Sequence, residues 1–370
     1  MAVPYGSTAQ FNAYNKEKFE QVGINIVSVA EDNLEEYNSK NNATLMPHGY
    51  AEYKTAPVAG MKSSQNLLGQ TVYKVFNNRI AMNWEEQRVM LKYFTREYNS
   101  SSPSTYGFVS EYWFNYGWSV GGDCIQRIPT DDPAYRGYYY DFTLMDPTPN
   151  YIVPDNVESV TVNGKTYKAG QIVEYVDKID MTKYGTTADE TVLQNNKGTY
   201  TVTSEVQQLA SAGKLNVLPS QKDAFVEFVR LAASTNTTVS GDLKGYGITQ
   251  MPSDIGGDSG KTNAFANGQV AMLVDGRWNV TNFRKQLGND GWDVAPLPMY
   301  KEYDSEGNIT VHGVEAGHSG SVALCISTKS KVSNAAWKFI EYCGSEEGQT
   351  LQAEAGFAIP LQKKLANSEV

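Results

Sequence analysis

Several groups of residues in this sequence could do chemistry, and their spacing decides most of them. Gly256-Gly257-Asp258-Ser259-Gly260-Lys261-Thr262 places glycine amides and a lysine where a phosphate could sit. A Walker A loop needs four residues between its first glycine and the Gly-Lys pair. Gly256 to Gly260 leaves three, and position 255 is Ile. The preceding Pro252-Ser253-Asp254 does not read as a buried strand, so a plain flexible loop is expected here. The three histidines, His48, His312 and His318, include no i, i+4 pair that would set two ligands on one helical face, which argues against zinc. Gly317-His318-Ser319-Gly320-Ser321 misses the nucleophile elbow G-x-S-x-G, because its last residue is Ser and no ordered acid and histidine pair follows. Two carboxylates could still cleave a glycosidic bond, since that chemistry depends on their separation in space. Cys124, Cys325 and Cys343 are odd in number and widely spaced, so they encode neither a disulfide framework nor a zinc knuckle.

The densest grouping is aromatic. Glu111-Tyr112-Trp113-Phe114-Asn115-Tyr116-Gly117-Trp118 precedes Gly121-Gly122-Asp123, in a chain with 24 Tyr, 13 Phe and 6 Trp. Tyrosine and tryptophan join an apolar face to a polar tip, which suits wet binding surfaces, although packing into a core is the ordinary fate of such rings.

Elements must hold these residues in place. At 370 residues with 41% hydrophobic and 19% charged side chains, the chain can build large cores in two or three domains. Its net charge of −10 argues against a nucleic-acid binder working by bulk electrostatics. No apolar run is long enough to span a bilayer, and Met1-Ala2-Val3-Pro4 carries no leader pattern. Asn83 and Glu86 have capping-box spacing, with Trp84, Met90, Leu91 and Phe94 at helical intervals, which predicts a helix over about 84–98. Residues 25–80 read as an irregular insertion with short elements. In a second insertion at about 146–200, Asn163-Gly164 between two short runs predicts a hairpin. Ser220 and Asp223 open a helix with Phe225, Phe228, Val229 and Ala232 on one face. Val270 to Val274 and Ser321 to Ser327 suit strands buried on both faces, and Ser333 opens a helix with Ala336, Trp337, Ile340 and Cys343 inward. Alternating strands and helices indicate an α/β fold.

Several stretches together resemble the extracellular solute-binding proteins of carbohydrate ABC transporters, of the maltose-binding-protein type. They begin with Val3-Pro4-Tyr5-Gly6-Ser7, Tyr14-Asn15-Lys16-Glu17-Lys18-Phe19 and Gly23-Ile24, and continue with Asn83-Trp84-Glu85-Glu86 and Tyr106-Gly107-Phe108 with Gly121-Gly122. The most specific are Phe265-Ala266-Asn267-Gly268-Gln269-Val270-Ala271-Met272 with Gly276-Arg277-Trp278, followed by Trp292-Asp293-Val294-Ala295-Pro296-Leu297-Pro298. Ala335-Ala336-Trp337-Lys338-Phe339-Ile340, Ser345-Glu346-Glu347-Gly348-Gln349 and Ile359-Pro360 fit the C-terminal helices.

The resemblance implies a two-lobe, type II periplasmic-binding-protein-like fold that traps ligand by lobe closure. Residues 1–8 and 294–345 would be a remnant of lobe 1, and residues 9–293 and 346–370 lobe 2 with its insertions. In the family, the first strands and helices of lobe 1, a signal peptide and often a lipid-anchored cysteine precede the point matched by Val3. An incomplete lobe 1 with exposed apolar edges is therefore expected. A pyranose stacks its C–H face on aromatic rings and hydrogen-bonds through its hydroxyl equator. The resemblance accordingly implies ligand contacts from Trp278 in the Gly-Arg-Trp position and from Tyr5, Ser7 and Thr8 on the crossover strand. It adds Glu111, Trp113, Trp118 and Asp123 in the aromatic block, and Glu315 and His318 before the Ser321 strand. The implied partners are a carbohydrate and membrane permease subunits, with no nucleic acid, no cofactor and no metal. The protein is expected to be an extracellular or periplasmic monomer, lipid-anchored at full length, and to have no catalytic activity. A secreted carbohydrate-active enzyme and a glycan-binding adhesin stay open as alternatives.

Overall fold

The computed structural model describes residues 2–129, 138–173, 204–356 and 358–368; the side chains of residues 2–5, 7, 126–129, 138, 139, 141, 252, 258, 319 and 321 lie outside the described part. One long strand organises it. Strand β1 (Ala2–Asn15) serves two ladders in succession. Its first part, Ala2 to Ala9, runs antiparallel to β19 (Ser319–Cys325). Its second part lies between β15 (Val270–Gly276) and β16 (Trp292–Ala295), antiparallel to both, and β15 continues in parallel to β6 (Tyr106–Val109).

The apolar run in β15 does what its composition predicts: every residue from Val270 to Gly276 is buried. Side chains alternate across the pleat. Met272 and Val274 join Tyr14 in the main core, while Leu273 joins Ala13, Phe265, Phe283 and Trp292 on the other face. Next to the sheet, Phe19 meets Tyr14, Phe76 and Phe94 at ring-centroid distances of 4.8 to 5.1 Å.

The region expected to be irregular is ordered. β2 (Ile24–Val27), β3 (Tyr50–Tyr53), β4 (Ser64–Gln65) and β5 (Thr71–Asn77) form a sheet in the order β2-β5-β3, with β4 also on β5. α1 (Lys16–Gln21) leads into it and α2 (Leu34–Asn41) covers part of it. Most of its Asn, Ser and Lys residues sit in α2 and the connections, and Asn25, Lys74 and Asn77 interrupt the apolar pattern within the strands themselves.

α3 (Trp84–Lys92) carries the full capping box, Asn83 accepting from Glu86 N and the Glu86 carboxylate accepting from Asn83 N. It ends at Lys92, short of the expected 98, where Thr95 turns back and donates its hydroxyl to Leu91 O at 2.9 Å. α4 (Phe114–Ser119) follows β6. A two-stranded ribbon, β7 (Ile125–Pro129) and β8 (Tyr138–Phe142), comes next.

The second insertion builds its own small core. β9 (Pro149–Ile152) pairs with β12 (Asn216–Ser220), and the hairpin of β10 (Ser159–Val162) and β11 (Lys165–Lys168) turns on Asn163 and Gly164 at φ 49° and 74°. Val160, Val162 and Tyr167 bury against Val206 of α5 (Ser204–Ser211). Residues 174–203, the rest of this insertion, lie outside the described residues.

α6 (Gln221–Ala232) has the predicted Ser220/Asp223 capping box. Of the expected stripe it buries Phe228, together with Gln221, Ala224, Val226 and Leu231, while Val229 and Ala232 are half-buried and Phe225 packs edge-on against Trp113. A small antiparallel pair, β13 (Thr238–Ser240) and β14 (Leu243–Lys244), follows. The glycine-rich segment expected to be a loop forms α7 (Gly257–Ala266), which with α8 (Val280–Leu287) flanks the face of β15 that carries Leu273. Gly256 and Gly257 take positive φ at its start, and Lys261 is fully buried.

The hairpin of β17 (Lys301–Tyr303) and β18 (Ile309–His312) rests on this larger body: Met299 N donates to Met82 O at 3.0 Å and Tyr300 meets Trp84 edge-on. By contrast α9 (Ser333–Gly344), α10 (Glu346–Glu354) and α11 (Lys363–Ala366) gather around the first part of β1, where Gly6 lies against Ala358 and Gln352. β19 is not buried on both faces as expected. Val322 is 49% exposed and Cys325 is exposed, because among the described residues β19 pairs only with β1. On α9 only Ile340 and Cys343 are buried, and Trp337 faces outward. No helix among the described residues is long and apolar enough to cross a membrane.

Candidate functional site

Where β1 passes from one ladder to the other, three parts of the chain converge: Thr8 and Gln10 of β1, helix α4, and the 313–318 segment before β19. Thr8 and Gln10 alternate onto the same face of the strand. Thr8 is buried and donates its hydroxyl to Gly320 O at 3.4 Å. Gln10 N donates to His318 O at 3.2 Å, and Gln10 Oε1 accepts from Asn115 Nδ2 of α4 at 3.3 Å.

Helix α4 supplies the rings. Its lack of a side chain at Gly117 lets it lie directly against Gln221 of α6. Phe114 meets Trp118 at 4.6 Å, and His318 lies 6.3 Å from Trp118 with the two rings within 19° of parallel. The Trp118 indole N–H donates to Asp123 Oδ1 at 3.2 Å, and that oxygen also accepts from Cys124 N at 2.7 Å, which fixes the ring plane. Burial and the neighbouring Asp123 carboxylate push the Cys124 thiol up. Trp113 stands edge-on to Phe114.

An ion pair borders the site. Buried Lys261 pairs with Glu111 Oε1 at 2.7 Å, and its ammonium lies 5.2 Å from the centre of the Tyr112 ring. Among the described residues no group of three His, Cys, Asp or Glu side chains could hold a metal ion.

Of the residues expected to contact ligand, Thr8, Trp113, Trp118, Asp123 and His318 gather around α4 and the crossover of β1, joined by the Glu111–Lys261 pair at the helix entrance. The side chains of Tyr5 and Ser7 lie outside the described residues. Trp278 is half-buried in the 3₁₀ turn Arg277–Asn279, its ring laid across Gly276, where any Cβ would collide with it. Gly276 is the strand partner of Gln10, so the indole stands beside the crossover, but among the described residues no ring contact joins it to Phe114, Trp118 or His318. Glu315 stands apart. It is exposed and lines two adjoining cavities of about 790 and 530 Å³ that also share Arg79 and Pro296, and none of the α4 rings lines either one.

The sequence reading did not select Gln10 or Asn115, and it weighed Lys261 only within a phosphate-loop pattern that it rejected. Gln10 was findable, since it lies two residues after Thr8 on the same strand face. Lys261 was not, because its partner is 150 positions away.

Against this geometry, the family comparison is specific. Residues 133–370 match the model of the bacterial extracellular solute-binding protein family, and the chain belongs to that family. No curated protein matches the chain. Similar solved structures include a Listeria monocytogenes ABC substrate-binding protein in complex with cycloalternan (12% identity, 99% of this chain, 54% of that chain, TM-score 0.45). Maltose-bound MalE3 of T. maritima aligns at 14% identity over 99% of this chain and 56% of that chain, with TM-score 0.45. A Thermotoga lettingae solute-binding protein bound with α-D-tagatose aligns at 14% over 97% and 54%, with TM-score 0.40. The chain spans about half the length of these structures.

Proposed function

We propose that this protein captures a neutral sugar or oligosaccharide at the crossover of β1 and presents it to the permease of an ABC transporter. The observation that carries the reading is the Phe114–Trp118–His318 ring group, braced by Asp123 and set beside a strand shared by two ladders. Stacking faces suit the C–H side of a pyranose. The nearby ammonium of Lys261 is held by Glu111, which leaves it less available to a phosphorylated ligand.

In this reading residues 2–9 and 319–368 form one closing body and residues 10–312 the other. This moves the boundary from the sequence expectation in line with the contacts of 299–312 and 346–368. Ligand would favour the closed arrangement by binding it more tightly. We assign the protein to the outer face of the membrane, as a lipid-anchored monomer without catalysis.

Isothermal titration calorimetry against maltotriose, cellotriose, galactobiose, xylobiose and glucose 6-phosphate tests it. A neutral sugar should bind, and Trp118→Ala should weaken it by about tenfold, the size of one lost stacking contact. Unaltered affinity in that variant, preference for the phosphorylated sugar, or turnover of any oligosaccharide would overturn the reading.

A further inference from the structure

Three hydrogen-bonded residues at the crossover each carry a buried polar atom with no partner. Gln10 bonds both Asn115, through its side chain, and His318, through its backbone. Yet Gln10 Nε2, Asn115 Oδ1 and His318 Nδ1 are all enclosed and unpaired. A buried polar group without a partner costs about 1–3 kcal/mol, so three on mutually bonded residues call for a common explanation. They come from three separate elements, β1, α4 and the segment before β19, so no single local turn accounts for them.

We propose that Gln10, Asn115 and His318 form a polar subsite for one ligand hydroxyl, beside the Trp118 ring; it rests on the sugar-binding reading above. The chemistry selects a hydroxyl. The Gln10 amide donates and the Asn115 oxygen accepts, while His318 Nδ1 takes either part according to its tautomer. A hydroxyl accepts and donates at once. A carboxylate or phosphate oxygen would face the Asn115 carbonyl with no proton to give, and an ammonium could not accept from Gln10. Of the three, Gln10 also lines the 530 Å³ cavity, together with Gly317, the chain neighbour of His318, so the trio borders that cavity at its Gln10 end. Such a subsite discriminates strongly, because an analogue lacking the hydroxyl leaves all three groups unpaired.

The test uses near-isosteric substitutions. Gln10→Met, Asn115→Leu and the double variant are compared with the unaltered protein and Trp118→Ala by thermal unfolding and by calorimetry with the tightest-binding sugar of the panel. Each single variant should bind at least about tenfold more weakly, a loss of about 1.4 kcal/mol. The double variant should melt no lower than the unaltered protein, since it removes orphaned polar atoms. Monodeoxy analogues of that sugar should show one position whose loss is felt by the unaltered protein and not by the double variant. Unchanged affinity in Gln10→Met and Asn115→Leu, with affinity lost in Trp118→Ala, would overturn the subsite and leave the sugar reading standing. A double variant melting several degrees lower would make the trio structural and overturn it too. Failure of the unaltered protein to bind any sugar of the panel would remove the sugar reading, and the subsite with it.

Discussion

The two halves of β1 meet opposite fates within one strand. Residues 10–15 lie inside a sheet, with β15 and β16 on either side and cores on both faces, so Ala13 and Tyr14 are completely buried. Residues 2–9 have a single described partner, β19, and the layer beyond them leaves Trp337, Phe339, Tyr342 and Leu351 exposed on α9 and α10. What separates them is how many neighbours the sheet supplies. Similar apolar content gives a dense core on one side and an exposed apolar surface on the other.

The sharpest way to break this comparison is to remove one large side chain from each half. Phe76 is fully buried against Tyr14 and Phe19, so Phe76→Ala should cost about 3–5 kcal/mol in urea unfolding. Val322→Ala on half-exposed β19 should cost no more than about 0.5 kcal/mol. Comparable losses at the two positions would mean that the thin half is as well packed as the dense one.

The same contrast explains what was legible in the sequence. Elements whose signals are local came through: the capping boxes at Asn83 and Ser220, the Asn163-Gly164 turn and the apolar run of β15. Where neighbours decide, the sequence misled. The run Ser321–Ser327 has the composition of a doubly buried strand, yet its Val322 and Cys325 are exposed, and a glycine-rich loop pattern forms α7, on which Lys261 pairs with Glu111 far away in sequence. At the candidate site the ring types were readable. The bond that fixes the Trp118 plane, to Asp123, is within reach of sequence spacing, while the one that ties α4 to β1, from Asn115 to Gln10, spans residues far apart in sequence.

A second, smaller effect belongs to the dense half alone. Lys74 is buried in β5, donates to Val22 O and to Gln65 O, and lies over the Tyr93 ring at 4.1 Å. Burial pushes its ammonium down to about 8. The unfolded chain therefore binds more protons between that value and the ordinary lysine range, so stability should rise as pH rises through this window. The expected gain between pH 7.5 and 9.5 is of the order of 1–3 kcal/mol in urea unfolding. Lys92 shifts in the same direction, so the part of the rise that disappears in Lys74→Met is the part owed to Lys74. The buried tyrosines, whose hydroxyls are pushed up, contribute stability that is lost over the same range, so the deciding comparison is the difference between the two proteins. Identical profiles in Lys74→Met and the unaltered protein would show that the amine is hydrated in solution.

Helix starts sharpen the comparison at the smallest scale. α3, in the dense half, has Asn83 and Glu86 each satisfying a backbone N–H of the other, and Asn83 also donates to Lys301 O at 3.3 Å. α9, in the thin half, has Val332 at its N-cap position, where the side chain caps nothing. Asn83→Ala should therefore cost about 1 kcal/mol, while Val332→Asp should gain a few tenths to about 1 kcal/mol by capping an open N–H and placing a negative charge at the helix N-terminus. Val332 is 66% exposed, so its replacement sacrifices little packing. Thermal unfolding checks both. If Val332→Asp gains nothing while Asn83→Ala costs as stated, α9 is already open in the unaltered protein at temperatures below the main transition, and the thin half unfolds separately from the dense one.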